Sequence, residues 1–120
     1  MTSSESREQR RAERWNLYCF LRIVEPGNAD ELLGHLVDVS ESGLRIMSMQ
    51  PYSPGTECRF EVQIPQPSGC LKSIRLHTCC VWSRYDEGFG KYFSGFRFVN
   101  TDDATTTRIR DLIENMGAHQ

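Results

Sequence analysis

The chain predicts an all-β domain: an antiparallel barrel or sandwich of about six strands with a C-terminal α-helix. Three observations predict it. Apolar and polar residues alternate through the middle of the chain, most clearly where Cys58, Phe60, Val62 and Ile64 oppose Arg59, Glu61 and Gln63. Turn sequences rich in Pro, Gly, Asn and Ser separate these runs, with no helical pattern between them. The period becomes helical only near the end, where Ile109, Leu112, Ile113 and Met116 stand at i, i+3, i+4 and i+7.

Taken in order, residues 1–14 are polar and predict a flexible N-terminal arm, and residues 15–117 predict the barrel with its helix. Leu17, Cys19, Leu21 and Ile23 alternate against Tyr18, Phe20 and Arg22, giving a first strand from Trp15 to Val24. Glu25-Pro26-Gly27-Asn28 turns the chain into a second strand, Leu32 to Val39. Ser40–Gly43 turns it again into Leu44–Met47, and Pro51, Pro54 and Gly55 mark the loop before the Cys58–Ile64 strand. After Pro65–Gly69 a long strand runs from Leu71 to Arg84, with Ile74, Leu76, Thr78, Cys80 and Trp82 assigned to one side. Gly88 and Gly90 lie in the connection to a last strand, Tyr92 to Val99. Thr101 or Asp102 caps the helix, and Gly117 fits a left-handed C-terminal cap. The helix's apolar stripe is expected to cover an open end or face of the barrel.

At 120 residues the length fits one domain. No apolar run approaches the roughly 18 residues of a membrane span, and residues 1–13 hold no apolar block of the kind a secretory signal needs. Five cysteines (Cys19, Cys58, Cys70, Cys79 and Cys80) are an odd count, which fits a reducing compartment better than a disulfide framework. The expectation is a cytoplasmic protein without membrane insertion. Net charge is −2, which argues against a general nucleic-acid binder. Basic character is confined to the arm, where Arg7, Arg10, Arg11 and Arg14 outnumber Glu5, Glu8 and Glu13 by one.

Two motifs carry chemistry. In Asp38-Val39-Ser40-Glu41-Ser42-Gly43, Asp38 and Ser40 are two apart, so on a regular strand both point outward while Val37 and Val39 point into the core. A carboxylate accepts two hydrogen bonds from the N1–H and N2–H₂ edge of guanine, and a serine hydroxyl donates or accepts beside it. Gly43 permits a positive φ or a close backbone approach. The competing reading is a local turn, in which Asp38 and Ser40 satisfy nearby backbone amides. In Arg10-Arg11-Ala12-Glu13-Arg14, the outer arginines share a face if the arm forms a helical turn, and can bracket a ligand if it wraps. Guanidinium forks phosphate and stacks on bases. The competing reading is a solvated charge run with Glu8–Arg11 and Arg10–Glu13 pairs.

Arg-x-x-x-Arg, a strand, and Asp-x-Ser-x-x-Gly in an all-β chain of this length together resemble the PilZ domain family. Tyr92-Phe93-Ser94-Gly95-Phe96-Arg97-Phe98 looks like the aromatic–glycine strand that such domains carry before their final helix. The resemblance spans about residues 8 to 116. It implies a six-stranded barrel that binds the bacterial second messenger cyclic di-GMP. Arg10 and Arg14 would then clasp phosphate and guanine from the arm, with Arg11 adding a phosphate contact. Asp38 and Ser40 would contact a guanine edge, and Gly43 would make room. Arg7 and Arg11 form a second Arg-x-x-x-Arg match, so the register of the pair is open; Arg45 is a further residue able to face the ligand. The resemblance implies no enzyme activity, cofactor or metal. It implies a receptor that signals to an unidentified effector protein in motility, polysaccharide or virulence control.

Three other readings compete. The cysteines with His35, His77 and His119 suggest a metal or thiol site, but adjacent Cys79 and Cys80 face opposite sides of a strand and no Cys-x-x-Cys occurs. An arginine arm beside a small barrel suggests single-stranded nucleic acid, against which the acidic remainder of the chain argues. A PilZ-like protein-interaction module that binds no nucleotide is the third, and it ranks behind ligand binding because both motifs are intact.

Overall fold

The computed structural model describes residues 20–118. Six strands, β1 (Leu21–Glu25), β2 (Asn28–Val39), β3 (Gly43–Ser48), β4 (Glu57–Pro65), β5 (Leu71–Asp86) and β6 (Lys91–Phe98), precede one helix, α1 (Asp103–Ala118). The strands close into a barrel in the order β1-β2-β3-β6-β5-β4, every pairing antiparallel. The expected fold class is therefore the observed one. The expected start of the first strand, Trp15 to Cys19, lies outside the described residues, as do Arg10, Arg11 and Arg14 and the rest of the expected arm.

The interior is the alternating set read from the sequence. Ile23, Leu36, Ile46, Phe60, Val62, Ile64 and Ile74 are all but inaccessible to solvent. Tyr52, Phe60 and Phe96 meet edge to face, with ring centroids 5.0–6.1 Å apart, a geometry that aromatic quadrupoles favour. Helix α1 contributes Ile109 and Leu112 to this same cluster, so its apolar stripe closes an end of the barrel. Met116 lies beyond the side chains described. Asp102 caps the helix, its Oδ1 accepting the Thr105 amide at 2.7 Å. The helix runs through Gly117 to Ala118, so that glycine is part of the last turn and not the expected cap beyond it. Among the described residues no helix is long and apolar enough to cross a membrane.

Two bulges correct the face assignments made from strict alternation. In the β2–β3 ladder Leu36 faces Ile46 but Asp38 faces Arg45, which leaves Val37 as an extra residue. Val37 consequently joins Met47 and Phe93 in a second, smaller cluster, while Val39 packs against the interior one. In the β5–β6 ladder Cys80 faces Phe96 and Trp82 faces Gly95, which leaves Val81 extra and 52% exposed. Trp82 therefore leaves the Ile74–Cys80 side to which alternation assigned it. Ser83 turns inward in its place, its Oγ 2.8 Å from that of the buried Ser94. An inserted residue flips strand parity, and no periodic pattern records an insertion.

Candidate ligand-binding site

The two bulges open on the same outer stretch of wall. Between them lies an open groove of about 510 Å³ that spans the end of β2, the Ser40–Gly43 turn, β3, β6 and the bulged part of β5. Asp38, Ser40, Ser42, Gly43, Arg45, Trp82, Gly95 and Arg97 line it. The three barrel-wall residues singled out from the sequence, Asp38, Ser40 and Gly43, are thus brought together.

Each is held by a different force. Asp38 forms a forked ion pair with Arg45 across the β2–β3 ladder: Nε lies 3.0 Å from each carboxylate oxygen, and Nη2 donates to Oδ2. This bond holds the guanidinium of Arg45 above its ordinary pKa. The side chains are 37% and 45% exposed, so the pair is a surface one, worth about 1 kcal/mol or less. Asp38 is pre-oriented at little cost to its release. The reading of Asp38 as a local turn former does not describe this geometry.

That reading does describe Ser40. Its Oγ accepts the Ser42 amide at 3.3 Å and lies 3.2 Å from the Ser42 hydroxyl, while its own amide donates to the Gly43 carbonyl at 2.8 Å. The turn is anchored further by the Phe98 amide, which donates to the Ser42 carbonyl at 3.0 Å. Both hydroxyls remain exposed on the groove rim.

Gly43 has no positive φ. Its role is close approach: a Cβ there would lie 2.1 Å from the Phe96 carbonyl oxygen, so only glycine lets β3 pair with β6 at this point. Gly95 is cleared for a side chain instead, since a Cβ would fall 2.4 Å from Nε1 of Trp82. The indole therefore lies across Gly95 at the groove's far wall, with the Arg84 guanidinium 5.2 Å from its ring centre. Trp82, Gly95 and Arg97 were missed as site residues. The signal for Gly95 and Arg97 was present in the aromatic–glycine strand, where the two are spaced to share a face; the signal for Trp82 was hidden by the Val81 bulge.

Burial pushes both Cys58 and Cys80 above the ordinary thiol pKa, which keeps them protonated and poorly nucleophilic. His77 bonds Glu57 at 2.6 Å, and among the described residues no three His, Cys, Asp or Glu side chains gather as a metal site would require.

A closed six-stranded barrel, capped by a C-terminal helix and grooved on its outer wall beside an Asp-x-Ser-x-x-Gly turn, defines a narrow structural class. The chain belongs to the PilZ domain family, whose model matches residues 8–115. Among solved structures it is similar to the PilZ domain with c-di-GMP of YcgR from Escherichia coli, with a TM-score of 0.62 and 16% identity over 82% of each chain. It is also similar to the inhibitor of motility MotI/DgrA of Bacillus subtilis, with a TM-score of 0.61 and 10% identity, covering 84% of this chain and 47% of that one. At these identities the likeness is one of fold. A comparison with curated proteins finds no match.

Proposed function

We propose that this chain is a cyclic di-GMP receptor of the adaptor type, a regulatory domain and not an enzyme. The observation that carries the reading is the convergence of Asp38, the Ser40 and Ser42 hydroxyls and a glycine-floored groove on one outer wall of a PilZ barrel. Asp38 exchanges its exposed bond to Arg45 for the N1–H and N2–H₂ edge of a guanine. The exchange is close to neutral, because the forked bonds it breaks and the two it forms are both charge-assisted bonds to the same exposed carboxylate. Trp82 offers an aromatic surface for a base at the far wall.

Arg10, Arg14 and the intervening Arg11 close over the ligand's phosphates from the N-terminal segment. Phe20, where the described chain begins, packs against the outer cluster that Trp82 also joins. Arg14 is six residues earlier, an extended reach of at most about 20 Å, which supports access to a groove that Trp82 lines. Ordering that segment costs conformational entropy, which the phosphate contacts offset. The closed segment then forms a surface that a partner protein recognises in the cytoplasm. Supporting this reading, the YcgR structure is of a PilZ domain with c-di-GMP. Isothermal titration with cyclic di-GMP, with GTP as the control, tests it: saturable heat with the cyclic dinucleotide alone is expected, and none with either nucleotide would overturn it.

One observation favours a second reading. Asp38 and Ser40 both already have partners within the chain, as they would in a PilZ-like interaction module that binds no nucleotide. Titration without heat, together with capture of a partner that does not depend on nucleotide, would select it.

A further inference from the structure

The groove floor has a two-by-two plan. In the β3–β6 ladder Gly43 faces Arg97 and Arg45 faces Gly95. Residues two apart on a strand share a face, so these four project together on the outer wall. Two long cationic side chains occupy opposite corners; of the two glycine corners, the one at Gly95 lies under the Trp82 indole and the one at Gly43 carries no side chain.

The two arginines differ electrically. Before a ligand arrives, Arg45 is paired with the Asp38 carboxylate, and the pair is close to neutral as a unit. Arg97 is exposed, lines the groove, and makes no ion pair with any described residue. Among the residues that line the groove, the uncompensated positive charge is the Arg97 guanidinium.

We propose that Arg97 binds a phosphodiester oxygen of the ligand directly and is a specificity-determining residue of the groove. The inference rests on the cyclic di-GMP reading and deepens it. A guanidinium grips phosphate oxygens in a fork, and a free, exposed one gives up no existing partner to do so. The bare corner at Gly43, directly opposite, lets a phosphate come down to the wall beside it. Arg97 also stands on a paired strand. Its contact needs no rearrangement of the wall, so it captures phosphate-bearing ligands at the encounter stage, while Asp38 selects the base.

The test is isothermal titration of cyclic di-GMP into the full chain at low and moderate salt, for wild type, Arg97→Ala, Arg97→Lys and Arg97→Glu, with Arg59→Ala on β4 as a surface control. Phosphorus NMR of the bound ligand accompanies it. We expect Arg97→Ala to weaken binding about tenfold or more and to lower the salt slope by about one ion, Arg97→Glu to weaken it further, and Arg59→Ala to stay within about twofold. Arg97→Lys should recover part of the affinity and shift a bound phosphorus resonance, which a merely structural role would not do. Melting temperatures should match, because Arg97 supports no described contact. Wild-type binding with Arg97→Ala unchanged in affinity and salt slope would overturn the role of Arg97 and leave the receptor reading standing. Absence of wild-type binding would overturn both.

Discussion

The two sides of the barrel wall are built on different rules. β4 and β5 pair through nine consecutive residues, from Glu57 with Cys79 to Pro65 with Leu71, without a break. The wall made by β2, β3, β6 and the far end of β5 is interrupted twice, at Val37 and at Val81. The regular side seals the core, and on its outer face Glu61 bonds the Gly27 amide at 3.2 Å and Arg75 at 3.1 Å, and His77 bonds Glu57. The interrupted side turns Asp38 and Trp82 outward around bare glycines and makes a groove. Inserted residues together with the Ser40–Gly43 turn produce the site, which keeps Asp38, Arg45, Trp82 and Arg97 on paired strands.

Substitutions can break this contrast. The largest effect belongs to the shared core: Leu112→Ala, at a fully buried position, should cost about 2–5 kcal/mol, read as a fall in the urea midpoint. Ile113, only partly buried, should cost less when truncated. An unmoved midpoint for Leu112→Ala would mean that α1 does not close the barrel. Next comes Gly43→Ala, which drives a Cβ into the β6 backbone and should cost about 1–3 kcal/mol while also distorting the groove. Arg10→Ala, Arg14→Ala and Asp38→Ala should each leave the midpoint nearly in place but weaken cyclic di-GMP binding by about tenfold, about 1.4 kcal/mol. Unchanged affinity in all three would remove these residues from the site.

The smallest effect sharpens the regular side. The Gly27 amide, followed by the bonds from Ser73 and Arg75, holds the Glu61 carboxyl below its ordinary pKa of 4.5. Its folded value lies under its unfolded one, so the stabilisation is complete above the unfolded value and is lost as pH falls through the folded one. Glu61→Gln should therefore lower stability by about 1 kcal/mol at pH 7, with the two proteins converging in acid. Parallel stability curves across that range would contradict it. Ligand affinity should not change.

Most of the fold was legible because strand alternation and a change to helical period are direct records of burial. In Cys58 to Ile64 the apolar set Phe60, Val62 and Ile64 is about 1% exposed or less as expected, although Glu61 and Gln63 between them are buried too, under Arg75 and Arg22. Asp102 was legible as a cap because its chemistry is local. What stayed hidden was non-periodic. Val37 and Trp82 were assigned to the wrong faces because a one-residue bulge leaves no mark in composition. Gly43 was legible as a close-approach glycine, but not that β6 is what approaches. The site was half legible: Asp38, Ser40 and Gly43 belong to one hexapeptide, whereas Gly95 and Arg97 reach them only through the β3–β6 pairing, which joins residues some fifty positions apart. The expected roles of Arg10, Arg11 and Arg14 lie outside the described residues and rest on the binding measurements above.

The central claim is that the interrupted wall is the ligand site. Amide proton–nitrogen correlation spectra recorded during titration with cyclic di-GMP test it most directly. Saturable shifts concentrated at Asp38 to Arg45, Trp82, Gly95 and Arg97, with the β4–β5 ladder quiet, are predicted. Shifts centred on the Glu57–Cys79 ladder, or none at saturating nucleotide, would contradict it.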